Sequence, residues 1–185
     1  MDYDPSKHHR RSIRLKGYDY TQAGAYFVTI VTQNRICLFG DIVEGEVRLS
    51  ALGQIVAESW QWLAMRYEYV DLDECIIMPN HLHGIIVISD DGRSGSPTAP
   101  TAGKRKPIGR LIGALKTVST KAINEQRGTP GASVWQRNYY EHVIRNEDSL
   151  NRIREYIITN PLRWHLDREN RNAAGTDPSD TEWFR

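Results

Sequence analysis

The stretch Tyr69–Ser89, YVDLDECIIMPNHLHGIIVIS, decides the fold. It holds two apolar, β-branched runs, Tyr69 to Met78 and Leu82 to Ser89, with only Pro79, Asn80 and His81 near their join. A join that short leaves no room for a crossover helix, so the two runs pair as an antiparallel hairpin. On a strand, residues two apart share a face, so His81 and His83 point one way and Leu82 points into the core. Gly84 beside them is expected to leave backbone room for a ligand.

Outward from this hairpin the pattern alternates. AYFVTIVTQ, around Tyr26, reads as a buried strand, and Asp41 to Leu49 as an extended piece turning at Glu44-Gly45-Glu46. Ser50 caps a helix running to about Arg66, with Leu52, Ile55, Val56, Trp60 and Leu63 at helical spacing. A second amphipathic helix starts at Pro107 and runs to about Asn124. After the breaker at 127–131 comes an extended piece, Val134 to Val143. A last helix follows, capped by Asn146, with Glu147 and Asp148 in its first turn, and stopped at Asn160-Pro161. Hairpin joins and an excess of strands exclude a doubly wound fold. The expected class is α+β, a ferredoxin-like sandwich: an antiparallel sheet, helices on one face, and a separate C-terminal helix.

The chain has 185 residues, enough for one core, expected over 1–166. Residues 90–106 are rich in Gly, Ser, Pro and Thr and read as a flexible loop, and the acidic tail at 167–185 reads as disordered. Hydrophobic residues make up 39% and charged residues 25%, too apolar for a disordered chain. Lys plus Arg is 24 against 23 Asp plus Glu, so bulk charge gives no argument for nucleic acid, although a neutral total can hide a basic face. The apolar runs are too short to span a bilayer, and the charged start lacks a secretory signal, so a cytoplasmic protein is expected. Cys37 and Cys75 lie in apolar runs without CxxC spacing and read as buried reduced thiols.

Chemistry concentrates in two places. His81 and His83 on one strand face make half of a divalent-metal site, or else two surface histidines. On the last helix Tyr156 and Asn160 stand four apart and share a face. Asn offers a neutral oxygen that suits Mg²⁺ or Mn²⁺ better than Zn²⁺, and a phenol near a cation can act as an oxygen nucleophile. The competing reading puts Tyr156 with Ile153 and Ile157 in a plain buried stripe. Tyr139 and Tyr140, ahead of Glu141-His142, are rival nucleophiles, though neither has an oxygen ligand four residues on.

Taken together, MPNHLHG and WQRNYYEHVIRNEDSLNRIREYIITNP resemble the REP-associated tyrosine transposases, within the HUH-type single-tyrosine transposases of bacterial insertion sequences. The shared pattern is His-hydrophobic-His on a central strand, then a helical Tyr followed four residues later by Gln or Asn: here His81, Leu82, His83, then Tyr156 and Asn160. The resemblance runs over about residues 10–165. It implies a ferredoxin-like fold and a metal, Mg²⁺ or Mn²⁺, held by His81, His83 and Asn160. It also implies Tyr156 as the nucleophile that cleaves and rejoins single-stranded DNA beside a REP-like hairpin, through a 5′-phosphotyrosine. Asn is one methylene shorter than Gln, which requires the helix to sit closer to the strand. Two basic clusters are candidates for phosphate contacts: Arg10, Arg11, Arg14 and Lys16 in the N-terminal arm, and Lys104, Arg105 and Arg110 entering the second helix. The resemblance leaves open a monomer or a homodimer, and implies a nucleoid-associated location. Two alternatives stand beside strand transfer: a domesticated module that binds hairpin DNA or RNA without cutting it, and a phosphodiesterase with water as nucleophile.

Overall fold

A computed structural model describes residues 18–90 and 105–178. The expected arm with Arg10, Arg11, Arg14 and Lys16, the residue Lys104, and most of the loop expected at 90–106 lie outside the described residues.

β1 (Gly24–Val31) leads through a 3₁₀ turn to the hairpin of β2 (Gly40–Val43) and β3 (Glu46–Leu49), then to α1 (Ala51–Arg66). β4 (Val70–Met78) and β5 (His81–Ile88) form the hairpin expected from their sequence, and α2 (Ile108–Arg127), β6 (Tyr140–Ile144) and α3 (Glu147–Thr159) follow. The main sheet has the order β4-β5-β1-β6 with every neighbour antiparallel. Setting aside the β2–β3 excursion, the chain order is strand, helix, strand, strand, helix, strand, which is the ferredoxin-like arrangement.

Local chemistry accounts for the boundaries. The Ser50 hydroxyl accepts from the Gly53 amide at 3.2 Å and the Asn146 side chain from the Ser149 amide at 2.8 Å, each satisfying an amide that the first helical turn leaves open. α2 ends at Arg127, three residues beyond the end expected from periodicity, where Gly128 takes the left-handed conformation. Glu44 and Gly45 both take positive φ, which joins β2 and β3 in a tight hairpin.

The sheet is buried on both sides. Tyr26, Val28, Ile30, Leu82 and Ile86 face α1 and α2, whereas Phe27 and Ile85 face α3 through Ile153, Tyr156 and Ile157. The alternation along β5 therefore sends His81 and His83 to the α3 side. Gly84 points the other way: a Cβ there would lie 2.5 Å from the Trp60 ring. The glycine serves the packing of α1 and leaves no room for a ligand, contrary to the expectation from its neighbours.

Two further expectations are corrected. Cys37 is exposed and Cys75 half-buried, because the connection after β1 leaves the sheet before Cys37. The segment after α3 is not a disordered tail over its described part. It continues as a 3₁₀ helix, Asn160–Leu166, and buries Asp167, Glu169 and Asp177 against the sheet end. Their hydrogen bonds and ion pairs offset the burial of the carboxylates. Among the described residues no helix is long and apolar enough to cross a membrane.

A candidate metal centre beside a tyrosine

The start of β5 is held by the turn before it. The Pro79 carbonyl accepts from the Leu38 and Phe39 amides, and the Asn80 carbonyl from the Thr32 amide at 2.8 Å. The fully buried Asn80 side chain donates from Nδ2 to the carbonyls of Arg35 at 3.2 Å and Glu169 at 2.7 Å. Carbonyls only accept, so this fixes which end of the amide is oxygen. Oδ1 then faces His81 Nδ1 at 2.9 Å, which must carry the proton. His81 Nε2 is left with a bare lone pair.

That lone pair lies 3.0 Å from Nε2 of His83 and 3.6 Å from Oδ2 of Asp167. The ligand atoms of His81, His83 and Asp167 all fall within 4.8 Å of one another, and all three residues are buried. Burial drives the His81 pKa down to about 3. The His83 pKa is also well below the ordinary value, chiefly through burial and secondarily through His81. Both rings are therefore neutral at physiological pH, the form that binds metal. Thr29 Oγ1 stands 2.8 Å from His83 Nδ1, and a hydroxyl can serve either tautomer. With Nδ1 accepting from Thr29, His83 donates from Nε2 to His81. With Nδ1 donating to Thr29, both Nε2 lone pairs and the Asp167 carboxylate converge, an arrangement that is repulsive unless a cation joins them.

Asn160 supplies a fourth group. At the C-cap of α3 it is 1% exposed, and its Nδ2 donates to Asp167 Oδ2 at 3.3 Å. Its Oδ1 is buried and has no hydrogen-bond partner among the described residues. An acceptor left open in the interior costs about 1–3 kcal/mol, and a cation in this cluster would relieve it. Two imidazoles, a carboxylate and an amide oxygen fit a borderline or hard divalent ion.

Tyr156 enters from α3, 3% exposed, with its hydroxyl 3.5 Å from His83 Nε2. Its ring meets Phe27 edge-on at 6.0 Å between centroids, and the Arg163 guanidinium lies 5.5 Å from the ring centre. The helix is docked by a bidentate ion pair: Arg154 donates from Nε and Nη2 to the two Asp73 oxygens at 2.8 and 2.6 Å, which holds the Asp73 carboxyl below its usual range. Asp73 lies in a β-bulge between Leu72 and Cys75, a break in register that can aim a side chain across the sheet. The bland reading of Tyr156 is thus partly true: it belongs to the buried stripe with Ile153 and Ile157 and still reaches the histidines.

Of the rival tyrosines only Tyr139 faces away from the cluster; Tyr140 lies on the same face of the sheet, two strands from His83 with Thr29 between them. Tyr139 packs with the α1–α2 core and donates to Glu141, while Tyr140 packs near Phe27 on the α3 side. Arg105 donates to Ser89 and Asp90, beyond the far end of β5 from His81. Residues along a strand are about 3.3 Å apart, so the eight steps from His81 to Ser89 put Arg105 remote from the cluster. Arg110 shares a hollow with Arg105 and Tyr67. Asp167, Thr29, Asn80 and Arg163 joined the site without being singled out in the sequence. The adjacency of Asn80 to His81 was the one local signal available.

No protein-family model matches the chain. An uncharacterized protein of Haemophilus influenzae is 41% identical over 174 residues, covering 90% of this chain and 96% of that protein. A second protein of that organism, named a candidate REP-associated tyrosine transposase, is 25% identical over 153 residues, covering 78% and 74%. A solved structure, a REP-associated tyrosine transposase bound to a REP hairpin, aligns over 83% of this chain and 74% of its own. The TM-score is 0.57 at 18% identity, which shows a common fold.

Proposed function

We propose that this chain is a member of the REP-associated tyrosine transposases, to which one relative and one solved structure are similar, and that it cleaves and rejoins single-stranded DNA beside a hairpin, with Tyr156 as nucleophile. The observation that carries the reading is the approach of the Tyr156 hydroxyl to His83, at the edge of a buried cluster of two imidazoles and a carboxylate. The relative whose structure holds a REP hairpin supports a hairpin substrate.

His81, His83, Asp167 and Asn160 would hold Mg²⁺ or Mn²⁺. When bound, such an ion neutralises charge on the oxygens of the scissile phosphate. The Tyr156 oxygen attacks phosphorus in line. The Tyr–O–P bond forms as the P–O3′ bond breaks, the phenolic proton is released, and the 3′-oxygen takes up a proton from water. The phosphotyrosyl diester keeps the bond energy, so attack by a 3′-hydroxyl restores a phosphodiester and frees the tyrosine. Phe27 and the Arg163 guanidinium hold the ring, and the Asp73–Arg154 pair holds the helix that carries it.

The test is a denaturing gel with a labelled hairpin single strand and Mn²⁺. A protein-linked band is expected for the wild type and absent for Tyr156→Phe. A band that survives the substitution refutes the assignment of Tyr156. No band in the wild type, across hairpins with different flanks, favours a module that binds without cutting.

A further inference from the structure

The β2–β3 hairpin and the main sheet each leave a strand edge open. Among the described residues β3 pairs only with β2, and β4 only with β5. Between these two strands lies a hollow of about 590 Å³, walled by Val47 and Leu49 of β3 and by Cys75, Ile76 and Ile77 of β4, with α1 along its side. Successive side chains of a strand point to opposite faces. Here Cys75 and Ile77 belong to the core under α1, and Ile76 to the core under α3. A hollow that touches all three in a row therefore opens on the edge of β4, where its backbone lies, and not on one face of the sheet.

An open edge is commonly blunted by Lys, Pro or a bulge. β4 has no Lys, Arg or Pro from Val70 to Met78. Its bulge lies between Leu72 and Cys75, and residues 75–78 pair with β5 in regular register. That regular stretch is the part that reaches the hollow. The lining is mostly apolar, and Met65 of α1 stands 72% exposed there, more than any other large hydrophobic among the described residues. Trp60 also lines it. The residue is 2% exposed, and its Nε1–H is buried with no acceptor among the described residues. A buried donor without a partner is costly, and a backbone carbonyl is the kind of group that satisfies it.

The charge at the mouth is negative. Glu58 is the charged side chain that lines the hollow, and Glu74 is next to Cys75. Both are exposed, and neither forms an ion pair with another described residue. Glu46 and Arg48 share the face of β3 away from Val47 and Leu49 and balance each other. Arg154, across the sheet edge, is committed to Asp73.

We infer that this hollow receives an extended, cationic segment of a partner protein, which adds a strand to the free edge of β4. Its alternate apolar side chains pack against Leu49, Met65 and Ile77, and its Lys or Arg side chains turn to Glu58 and Glu74. In recognition of this kind main-chain hydrogen bonds supply affinity, and alternate side chains supply specificity. The acidic mouth selects a cationic segment over an acidic one. It also disfavours a second copy of this chain, because pairing β4 with β4 brings Asp71 and Glu74 of two chains together with no cation in either strand. The inference does not rest on the proposed cleavage.

The test is an anisotropy titration of the full chain with two fluorescein-labelled heptapeptides. One alternates Val with Lys and Arg, and the other carries Glu in place of every Lys and Arg. The cationic peptide is expected to bind about tenfold more tightly or better. It should also slow amide hydrogen exchange at residues 47–49 and 75–78 by about tenfold, while β6, the opposite edge of the sheet, changes less than about twofold. Glu58→Lys/Glu74→Lys, at two exposed positions, is expected to abolish or reverse the preference between the peptides. Met65→Lys, the most exposed of the apolar lining positions, is expected to weaken the cationic peptide in the same direction. Equal binding of the two peptides, an unchanged preference in the charge variant, or protection of both sheet edges overturns the inference. Protection of β4 that grows with protein concentration in the absence of peptide assigns the edge to a second copy and also overturns it.

Discussion

The hydroxyl of Tyr156 lies 3.5 Å from Nε2 of His83, although 73 positions separate the two residues in the chain. β5 alone would present the histidines on a sheet face, and α3 alone would bury its tyrosine in a stripe of isoleucines. Docking the helix across that face through Phe27, Ile153 and Ile157 turns two ordinary local patterns into one site. Asp167 and Asn160 then close it from the 3₁₀ segment that follows.

If the cluster binds a cation, the folded chain gains stability from it. Mn²⁺ at about a hundred times its dissociation constant contributes about 2.7 kcal/mol, which raises the melting temperature by roughly 5–10 °C for a chain of this size. Thermal melts with and without the ion should show that rise in the wild type and lose it in Asp167→Ala and in His83→Ala. A full rise in Asp167→Ala would remove Asp167 from the ligand set.

Thr29 fixes the ring of His83 from behind, at 2.8 Å. Thr29→Val keeps the shape and removes the hydroxyl. Groups that orient a ligating histidine typically govern metal affinity by about 10–100-fold, and a loss in that range is expected by titration calorimetry with Mn²⁺. Unchanged affinity would mean that packing against Phe27, whose ring stacks on His83 at 5.5 Å, orients the imidazole sufficiently.

Acid should weaken the metal-free protein before its carboxylates titrate. The unfolded chain protonates His81 near the ordinary value of about 6.5, while the native state resists protonation down to about 3. Between these values the unfolded state binds more protons, so stability rises with pH and falls as pH drops from 6.5 toward 3. His83 is shifted in the same direction and adds to the slope. Each imidazole contributes on the order of 1 kcal/mol per pH unit inside the window. Urea midpoints between pH 7 and pH 4.5 test this, and a double His81→Gln/His83→Gln variant should show a flatter dependence.

Gly84 belongs to the opposite side of the sheet. Gly84→Ala drives a methyl to 2.5 Å from the Trp60 ring, and overpacking of this kind costs about 1–3 kcal/mol. The denaturant midpoint should fall while Mn²⁺ affinity holds. A loss of metal binding with stability intact would instead restore a ligand-side role for the glycine.

Much of this protein is local and was legible in one dimension. The paired runs around Pro79-Asn80, the shared face of His81 and His83, the caps at Ser50 and Asn146, and the four-residue step from Tyr156 to Asn160 all follow from strand and helix periodicity. Backbone geometry alone dictates them, so they survive in any context that lets the elements form.

Other features depend on which surfaces meet. Asp167 reads as one of many acids in a polar tail, because its value as a ligand comes from a 3₁₀ segment folding back over the sheet. Gly84 looks like part of the histidine motif, yet strand alternation hands its empty face to Trp60. Arg105 enters α2 as a plausible phosphate contact and lands at the other end of β5. Leu49, Trp60 and Ile76 are scattered along the chain and wall one hollow. Long-range closure has no periodicity to betray it: the loss of chain entropy is repaid only when the whole surface docks, so the tertiary structure alone decided which polar residues became a site.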